Sequence, residues 1–275
     1  MIDIQNESGL SELLPHVVGL AREAGQAIMK VYSDVNPAVE YKRDNSPLTQ
    51  ADLASHHVIV DGLARLPGAW PVLSEESKEV PFDRRSSWRR FWMVDPLDGT
   101  KEFLRGNGEF TVNIALIEGG APILGVVYAP AIDKLYFAAR GVGAFKADRG
   151  AVSPIRAAQA QSGARRVVVS RSHGSGEENL DRFADGARNC EFIPMGSSLK
   201  FCLVAEGAAD LYPRTGPTME WDTAAAHCVL EQAGGSIADL DGEPLTYNKP
   251  HLRNPGFLAK AGFIHETGAD PVLCK

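Results

Sequence analysis

The segment Trp92-Met93-Val94-Asp95-Pro96-Leu97-Asp98-Gly99-Thr100 sets two carboxylates three residues apart. Two such charges repel unless a cation lies between them, and the Leu97 carbonyl offers a third hard oxygen. Oxygen-only ligation favours Mg²⁺ over zinc. The same residues also suit an Asx turn between a strand and a helix, because Asp-Gly is a common turn pair. Pro96 biases Asp95 away from helical geometry and removes one backbone donor. Other acidic residues carry a similar double meaning. Glu75-Glu76 follow a short apolar run and read either as a site pair or as a solvated turn. Asp52 stands three residues after Thr49, a capping-box spacing that by itself explains both residues. Asp222 precedes a helical run and reads as its N-cap. Their joint occurrence at element ends, around the Asp-Pro-Leu-Asp turn, points to a shared site.

Cations that could meet an anionic ligand lie later in the chain. Arg214, between Pro213 and Thr215, offers a guanidinium fork suited to phosphate. Lys200 sits on an expected helix, where a solvated position is the plain alternative. His173 lies in a loop, where exposure or an ordinary hydrogen bond would equally account for it. Cys202, Cys228 and Trp221 are expected to pack the core or a helix start.

The elements that must hold these residues follow from periodicity. Leu10, Leu13, Leu14, Val17, Leu20, Ala21 and Ala24 form a helical stripe within 10–32. A second helix is expected over 49–65, closed by Pro67-Gly68. Residues 91–94 are apolar at every position, as in a strand buried on both faces that delivers Asp95 at its carboxyl end, where open α/β sheets place ligands. Four short apolar runs over 110–146, punctuated by Gly and Pro, predict a meander. Beyond Gly150, strands at 166–169, 192–193 and 211–212 alternate with helices at 177–186, 199–206 and 223–233. The reading is an α/β layered sandwich in two closely packed halves, 1–150 with most of the acidic site and 151–275 with the cations and Asp222.

Composition bounds the function. The chain has 275 residues, 44% of them hydrophobic, enough for a sizeable core. Its net charge of −7 argues against a nonspecific nucleic-acid binder. The 4 cysteines form no CxxC pair, which fits a reduced cytoplasmic setting. No basic start precedes an apolar run, and no stretch is long and apolar enough to span a bilayer, so neither a secretory signal nor a transmembrane segment is expected.

Glu75-Glu76, Asp95 to Thr100 and Trp221-Asp222-Thr223-Ala224 together resemble the lithium-sensitive, magnesium-dependent phosphatases of the inositol monophosphatase and fructose-1,6-bisphosphatase superfamily. Within it the chain is more similar to the bacterial 3'(2'),5'-bisphosphate nucleotidases of the CysQ type. The strings are Asp44 to Pro47, Leu73 to Glu76, Asp98 to Phe103, Asn107 to Ala115, Ser170 to His173, Gly196 to Cys202 and Tyr212 to Arg214. The likeness spans about 12–258. Lys101-Glu102 departs from the threonine-asparagine of many inositol phosphatases, and 78–87 and the tail after Phe257 match no motif.

The resemblance implies that superfamily's layered sandwich and two to three Mg²⁺ ions. Glu75, Asp95, the Leu97 carbonyl, Asp98 and Asp222 match metal-ligand positions. Asp52 and Thr100 match the pair that orients the attacking water. His173, Ser197, Lys200 and Arg214 match nucleotide-holding positions. Substrate is also expected to meet Gly99, Thr100 and the metal-bound Glu75, Leu97, Asp98 and Asp222. The implied reaction removes the 3'-phosphate of 3'-phosphoadenosine 5'-phosphate, or of its sulfate-bearing relative, in sulfur assimilation or nucleotide recycling. The implied location is the cytoplasm, with peripheral attachment to the cytoplasmic face of the inner membrane left open. Inositol-phosphate or fructose-bisphosphate hydrolysis, and a regulatory protein without turnover, are the alternatives. Oligomeric state is not readable.

Overall fold

The computed structural model describes residues 7–33, 39–41, 47–157, 164–171 and 190–262. The expected helix at 177–186 and the loop residue His173 lie outside the described residues. Helices α1 (Glu7–Tyr32) and α2 (Gln50–Arg65) pack on one face of a seven-stranded sheet. The predicted stripe of α1 is buried there throughout. Between the helices, β1 (Val39–Tyr41) and β2 (Pro47–Thr49) form a small antiparallel pair.

The large sheet has the order β3 (Val72–Ser74), β4 (Arg90–Asp98), β5 (Thr111–Glu118), β6 (Ala121–Ala129), β7 (Lys134–Ala139), β8 (Gly143–Asp148) and β9 (Ala151–Pro154). Short helices α3 (Phe82–Arg85) and α4 (Thr100–Arg105) flank β4. The expected meander is present as β5 to β8. On β4 the period-two rule divides the side chains. Trp92 and Val94 join the cluster packed on α1 and α2, while Phe91 and Met93 join the cluster on the opposite face.

The second sheet runs β11 (Cys190–Met195), β10 (Arg165–Ser170), β12 (Leu211–Arg214), β14 (Phe257–Lys260) and β13 (Ser236–Asp239). Its first three strands are parallel, and β14 is antiparallel to both neighbours. Helices α5 (Leu199–Ala205) and α6 (Glu220–Gln232) lie between the sheets, so the described residues stack as helices, sheet, helices, sheet. The α6 backbone closes on β6 through Gly125, where a Cβ would stand 2.2 Å from the Ala225 carbonyl oxygen. The change of sheet falls near residue 150, but one buried cluster runs across it, from Phe91 and Met93 to Ala224 and Phe257. Cys202 and Cys228 are fully buried in that cluster.

Three expectations need correction. Asp95 does not follow the end of its strand: pairing continues through Asp95↔Asn113 to Asp98↔Thr111, with a register shift between. Pro96 cannot donate to the ladder, so the strand bulges and then resumes. The sheet is antiparallel except for β3 beside β4, so the open parallel-sheet rule is not what places these carboxylates. Third, α6 begins three residues before the predicted helix, at Glu220, which puts Asp222 inside its first turn.

Candidate active site

The parallel pair β3 and β4 places two carboxylates side by side. Ser74 pairs with Val94, and the Glu75 N–H donates to the Val94 carbonyl at 3.1 Å. Glu75 therefore leaves its strand where Asp95 occupies the next. Asp95 is 1% exposed, and its Oδ1 accepts from the Leu97 N–H at 3.1 Å, an Asx turn within β4 rather than at the expected Asp98-Gly99. Behind it, the Ser55 hydroxyl donates to the Pro96 carbonyl at 2.7 Å, pinning the bulge to α2.

The same turn of α2 carries Asp52. Its Oδ2 accepts from the Thr49 N–H at 2.8 Å and the Thr49 hydroxyl at 2.6 Å, and the Thr49 Oγ1 accepts from the Ala51 N–H. The capping box is thus present, and it locks the orientation of a carboxylate that is electrostatically coupled to Asp95. Gly99 takes φ +92°, a left-handed conformation, and starts α4 with Thr100 as its first residue. From the other half, Asp222 Oδ2 accepts from the Met219 N–H at 2.8 Å.

One cleft of ≈270 Å³ is lined by Glu75, Asp95, Leu97, Asp98, Gly99, Thr100, Ser197, Lys200, Arg214 and Asp222. Asp52 lies behind this lining and is 2% exposed. Glu76 does not line the cleft; its N–H donates to Ser74 Oγ, as a turn residue would. Lys200 is buried rather than solvated. Its ammonium donates to the Ser197 carbonyl and stands over the Tyr212 ring. The Arg214 Nη2 donates to the Pro217 carbonyl at 3.2 Å, while its Nε is buried without a partner.

Electrostatics bind these residues together. Burial pushes Asp95 well above the usual carboxylate range, and repulsion from Glu75, Asp98, Asp222 and Asp52 adds to it. Burial likewise raises Asp222, followed by repulsion from Asp98 and Glu75. Asp98 is also raised by burial, against the opposing pull of Lys200 and a hydrogen bond from Ser198. Burial lowers Lys200 to about 8 despite the attraction of Asp98. Among the described residues no group of three His, Cys, Asp or Glu side chains is arranged to hold a metal ion as it stands. Asp52, Asp95 and Asp222 each turn one oxygen onto a protein donor. The donor chemistry still fits a hard cation. The cluster is oxygen-only, buried and self-repelling, and an added positive charge relieves all of its members at once.

Sequence reasoning passed over two residues at the centre of this arrangement, Ser198 and Asn113. Ser198 Oγ lies 2.8 Å from Asp98 Oδ2 and 3.1 Å from the Asp222 carbonyl oxygen, and Asn113 Nδ2 donates to it at 2.7 Å. Both fall in strings that carried the resemblance. Only the meeting of two distant segments reveals their contact.

The profile of the inositol monophosphatase family matches residues 9–269. The chain belongs to the inositol monophosphatase family. It is 51% identical over 247 residues to the 3'(2'),5'-bisphosphate nucleotidase CysQ of Escherichia coli strain K12, covering 89% of this chain and 98% of that one. The namesake of Haemophilus influenzae is 37% identical over 248 residues, covering 90% and 91%. The crystal structure of CysQ from Bacteroides thetaiotaomicron, a bacterial member of the inositol monophosphatase family, superposes with a TM-score of 0.79. It is 40% identical, covering 94% of this chain and 99% of that one. Within this inositol monophosphatase-family cleft, Lys101 and Glu102 lie on the lining, so the string that departs from many inositol phosphatases sits where substrate would be met. Among the described residues no helix is long and apolar enough to cross a membrane.

Proposed function

We propose that the protein is a magnesium-dependent 3'(2'),5'-bisphosphate nucleotidase. It hydrolyses 3'-phosphoadenosine 5'-phosphate with one water to AMP and inorganic phosphate. The carrying observation is a single cleft whose lining joins buried, mutually repelling carboxylates to Lys200 and the half-satisfied Arg214. A bisphosphate has two anionic groups, one for each set. The CysQ names of the relatives support the nucleotide over an inositol phosphate, as do Lys200 and Arg214.

Glu75, Asp95, the Leu97 carbonyl, Asp98 and Asp222 would hold the ions. Magnesium bound there would neutralise the phosphate dianion, lower the pKa of a water and stabilise the departing ribose oxygen. The chain's own residues do the positioning. The capping box fixes the Asp52 carboxylate, which would accept from the Thr100 hydroxyl. Thr100 in turn accepts from the attacking water and aligns it with the scissile bond. Ser197 lines the cleft beside the nucleotide, and the family resemblance assigns His173 a nucleotide-holding role. Arg214 offers its guanidinium to the retained 5'-phosphate, and Lys200 adds a point charge. The reading places the enzyme in the cytoplasm and predicts inhibition by Li⁺.

The test is phosphate release in Mg²⁺ from 3'-phosphoadenosine 5'-phosphate, its sulfate-bearing relative, inositol 1-phosphate and fructose 1,6-bisphosphate, with nucleotide products identified by chromatography. AMP and phosphate from the first substrate, at a kcat/KM well above those for the inositol and fructose compounds, is expected. A preference for inositol phosphate would replace this reading with its main alternative.

A further inference from the structure

Asn113 and Ser198 are 85 positions apart and belong to different layers, yet their side chains meet in the interior, 1% and 2% exposed. Three short contacts converge on the Ser198 hydroxyl: Asn113 Nδ2 at 2.7 Å, Asp98 Oδ2 at 2.8 Å and the Asp222 carbonyl oxygen at 3.1 Å. A hydroxyl has one proton to give and two lone pairs to accept with. With a cation bound, Asp98 is ionised and can only accept, and it is the nearer and charged acceptor, so it takes the Ser198 proton. The Ser198 oxygen must then accept, and only the NH₂ side of the Asn113 carboxamide can supply that bond. This fixes the polarity of the chain: Asn113 N–H to Ser198 Oγ, Ser198 O–H to Asp98 Oδ2.

A second observation points the same way. With its NH₂ turned to Ser198, the Asn113 Oδ1 is buried without a hydrogen-bond partner among the described residues. Leaving a buried amide oxygen unpaired costs about 1–3 kcal/mol, so an apolar residue would serve the strand better if packing were its only task. On β5 the residue stands directly opposite Asp95, the most buried of the clustered carboxylates.

We infer that Asn113 and Ser198 are positioning residues that orient Asp98 for cation binding. The inference rests on the metal-site reading above. Hydrogen-bonded partners of metal ligands of this kind typically alter metal affinity by 10–100-fold when removed.

The test measures Mn²⁺ binding to substrate-free protein by electron paramagnetic resonance. Mn²⁺ is the probe because it takes the same oxygen ligands as Mg²⁺. Ser198→Ala should weaken binding about 10–100-fold. Asn113→Asp, nearly isosteric, should do the same, because its carboxylate cannot donate and competes for the Ser198 proton. Ser198→Thr, which keeps the hydroxyl, should bind within about threefold of wild type. The Ser198→Ala/Asn113→Asp double variant should be no worse than the poorer single variant, since both break one chain. Thermal unfolding in chelator, compared with wild type, separates metal affinity from folding. Wild-type affinity in both Ser198→Ala and Asn113→Asp overturns the inference. Asp98→Asn separates the two levels: if wild type binds Mn²⁺ no better than Asp98→Asn, the assignment of Asp98 as a ligand falls, and this inference with it.

Discussion

β4 carries Asp95 and Asp98 on backbone that is paired with β5, bulged at Pro96 and pinned from behind by Ser55. Lys200 and Arg214 extend instead as long side chains from short elements, the seven-residue α5 and the four-residue β12. Both sets line one cleft. The first is short-armed and fixed to main chain in the middle of a sheet. The second reaches in from the helix layer and the other sheet and, in Arg214, keeps a donor without a partner among the described residues. The contrast is what divided labour requires. Bond cleavage needs reacting groups held to a fraction of an ångström, whereas recognition of a second phosphate needs charge and donors within reach.

Substitutions that spare the fold should separate the two sets. Asp95→Asn and Asp222→Asn remove a charge from the acidic cluster and should lower kcat by about 10⁴-fold or more, the scale of several kcal/mol of transition-state stabilisation. Near-wild-type turnover by either variant at limiting Mg²⁺ would break the division on its catalytic side. Thr100→Ala and Asp52→Asn should lower kcat by roughly 10²–10⁴-fold with little change in KM, because they act on the water rather than on bound substrate. For Asp52 the structure sharpens this test. The capping role is established, so Asp52→Asn also has a stability cost of about 1 kcal/mol. Loss of stability with unaltered kcat would mean that Asp52 is a cap alone.

The cationic side predicts a pH dependence. Burial holds Lys200 at about 8, so it carries its charge below that pH and loses it above. kcat/KM should therefore fall as pH rises through about 8. Losing a charged hydrogen bond costs about 1.5–3 kcal/mol, so the fall should reach roughly ten- to a hundredfold. Lys200→Arg, which stays protonated, should abolish that limb. A wild-type limb that survives this substitution belongs to another group.

The acidic side predicts a smaller effect with its own sign. Asp95, Asp98 and Asp222 are raised on folding, so the native state keeps protons that the unfolded state has lost. Their stabilising contribution is full below the ordinary carboxylate range and is lost as pH rises through the raised values. A bound cation should offset that loss, so Mg²⁺ should raise Tm by a few degrees at pH 8 and by less at pH 5. An equal shift at both pH values would contradict the mutual repulsion described for the cluster.

The legibility of the two sets differs for the same reason that their construction does. Asp52, Asp95, Asp98 and Thr100 belong to signals confined to a few residues: a capping spacing, an Asx turn, and a glycine that allows φ +92°. The apolar run before Asp95 and the meander after it were readable from period and punctuation. Pro96, however, reads as a strand terminator, and only the partner strand β5 carries the pairing past it. Likewise, the start of α6 is set by contacts distant in sequence. The Glu220 carboxylate accepts from the N–H groups of Asn248 and Lys249, so Glu220 joins the helix and Asp222 becomes an inner residue rather than its cap. Ser198 and Asn113 were out of reach altogether, because nothing in either segment announces the other.

A comparison of wild type and Arg214→Ala on 3'-phosphoadenosine 5'-phosphate and on adenosine 3'-monophosphate, in saturating Mg²⁺, shows whether Arg214 reads the phosphate that is not cleaved. The four measurements form a double-mutant cycle between one guanidinium and one phosphate. Arg214→Ala should raise KM for the bisphosphate by roughly ten- to a hundredfold, the loss of a charged hydrogen bond, with a much smaller change for the monophosphate. Equal losses on both substrates would show that Arg214 does not read the 5'-phosphate, and would contradict the division of the cleft into a cleaving set and a reading set.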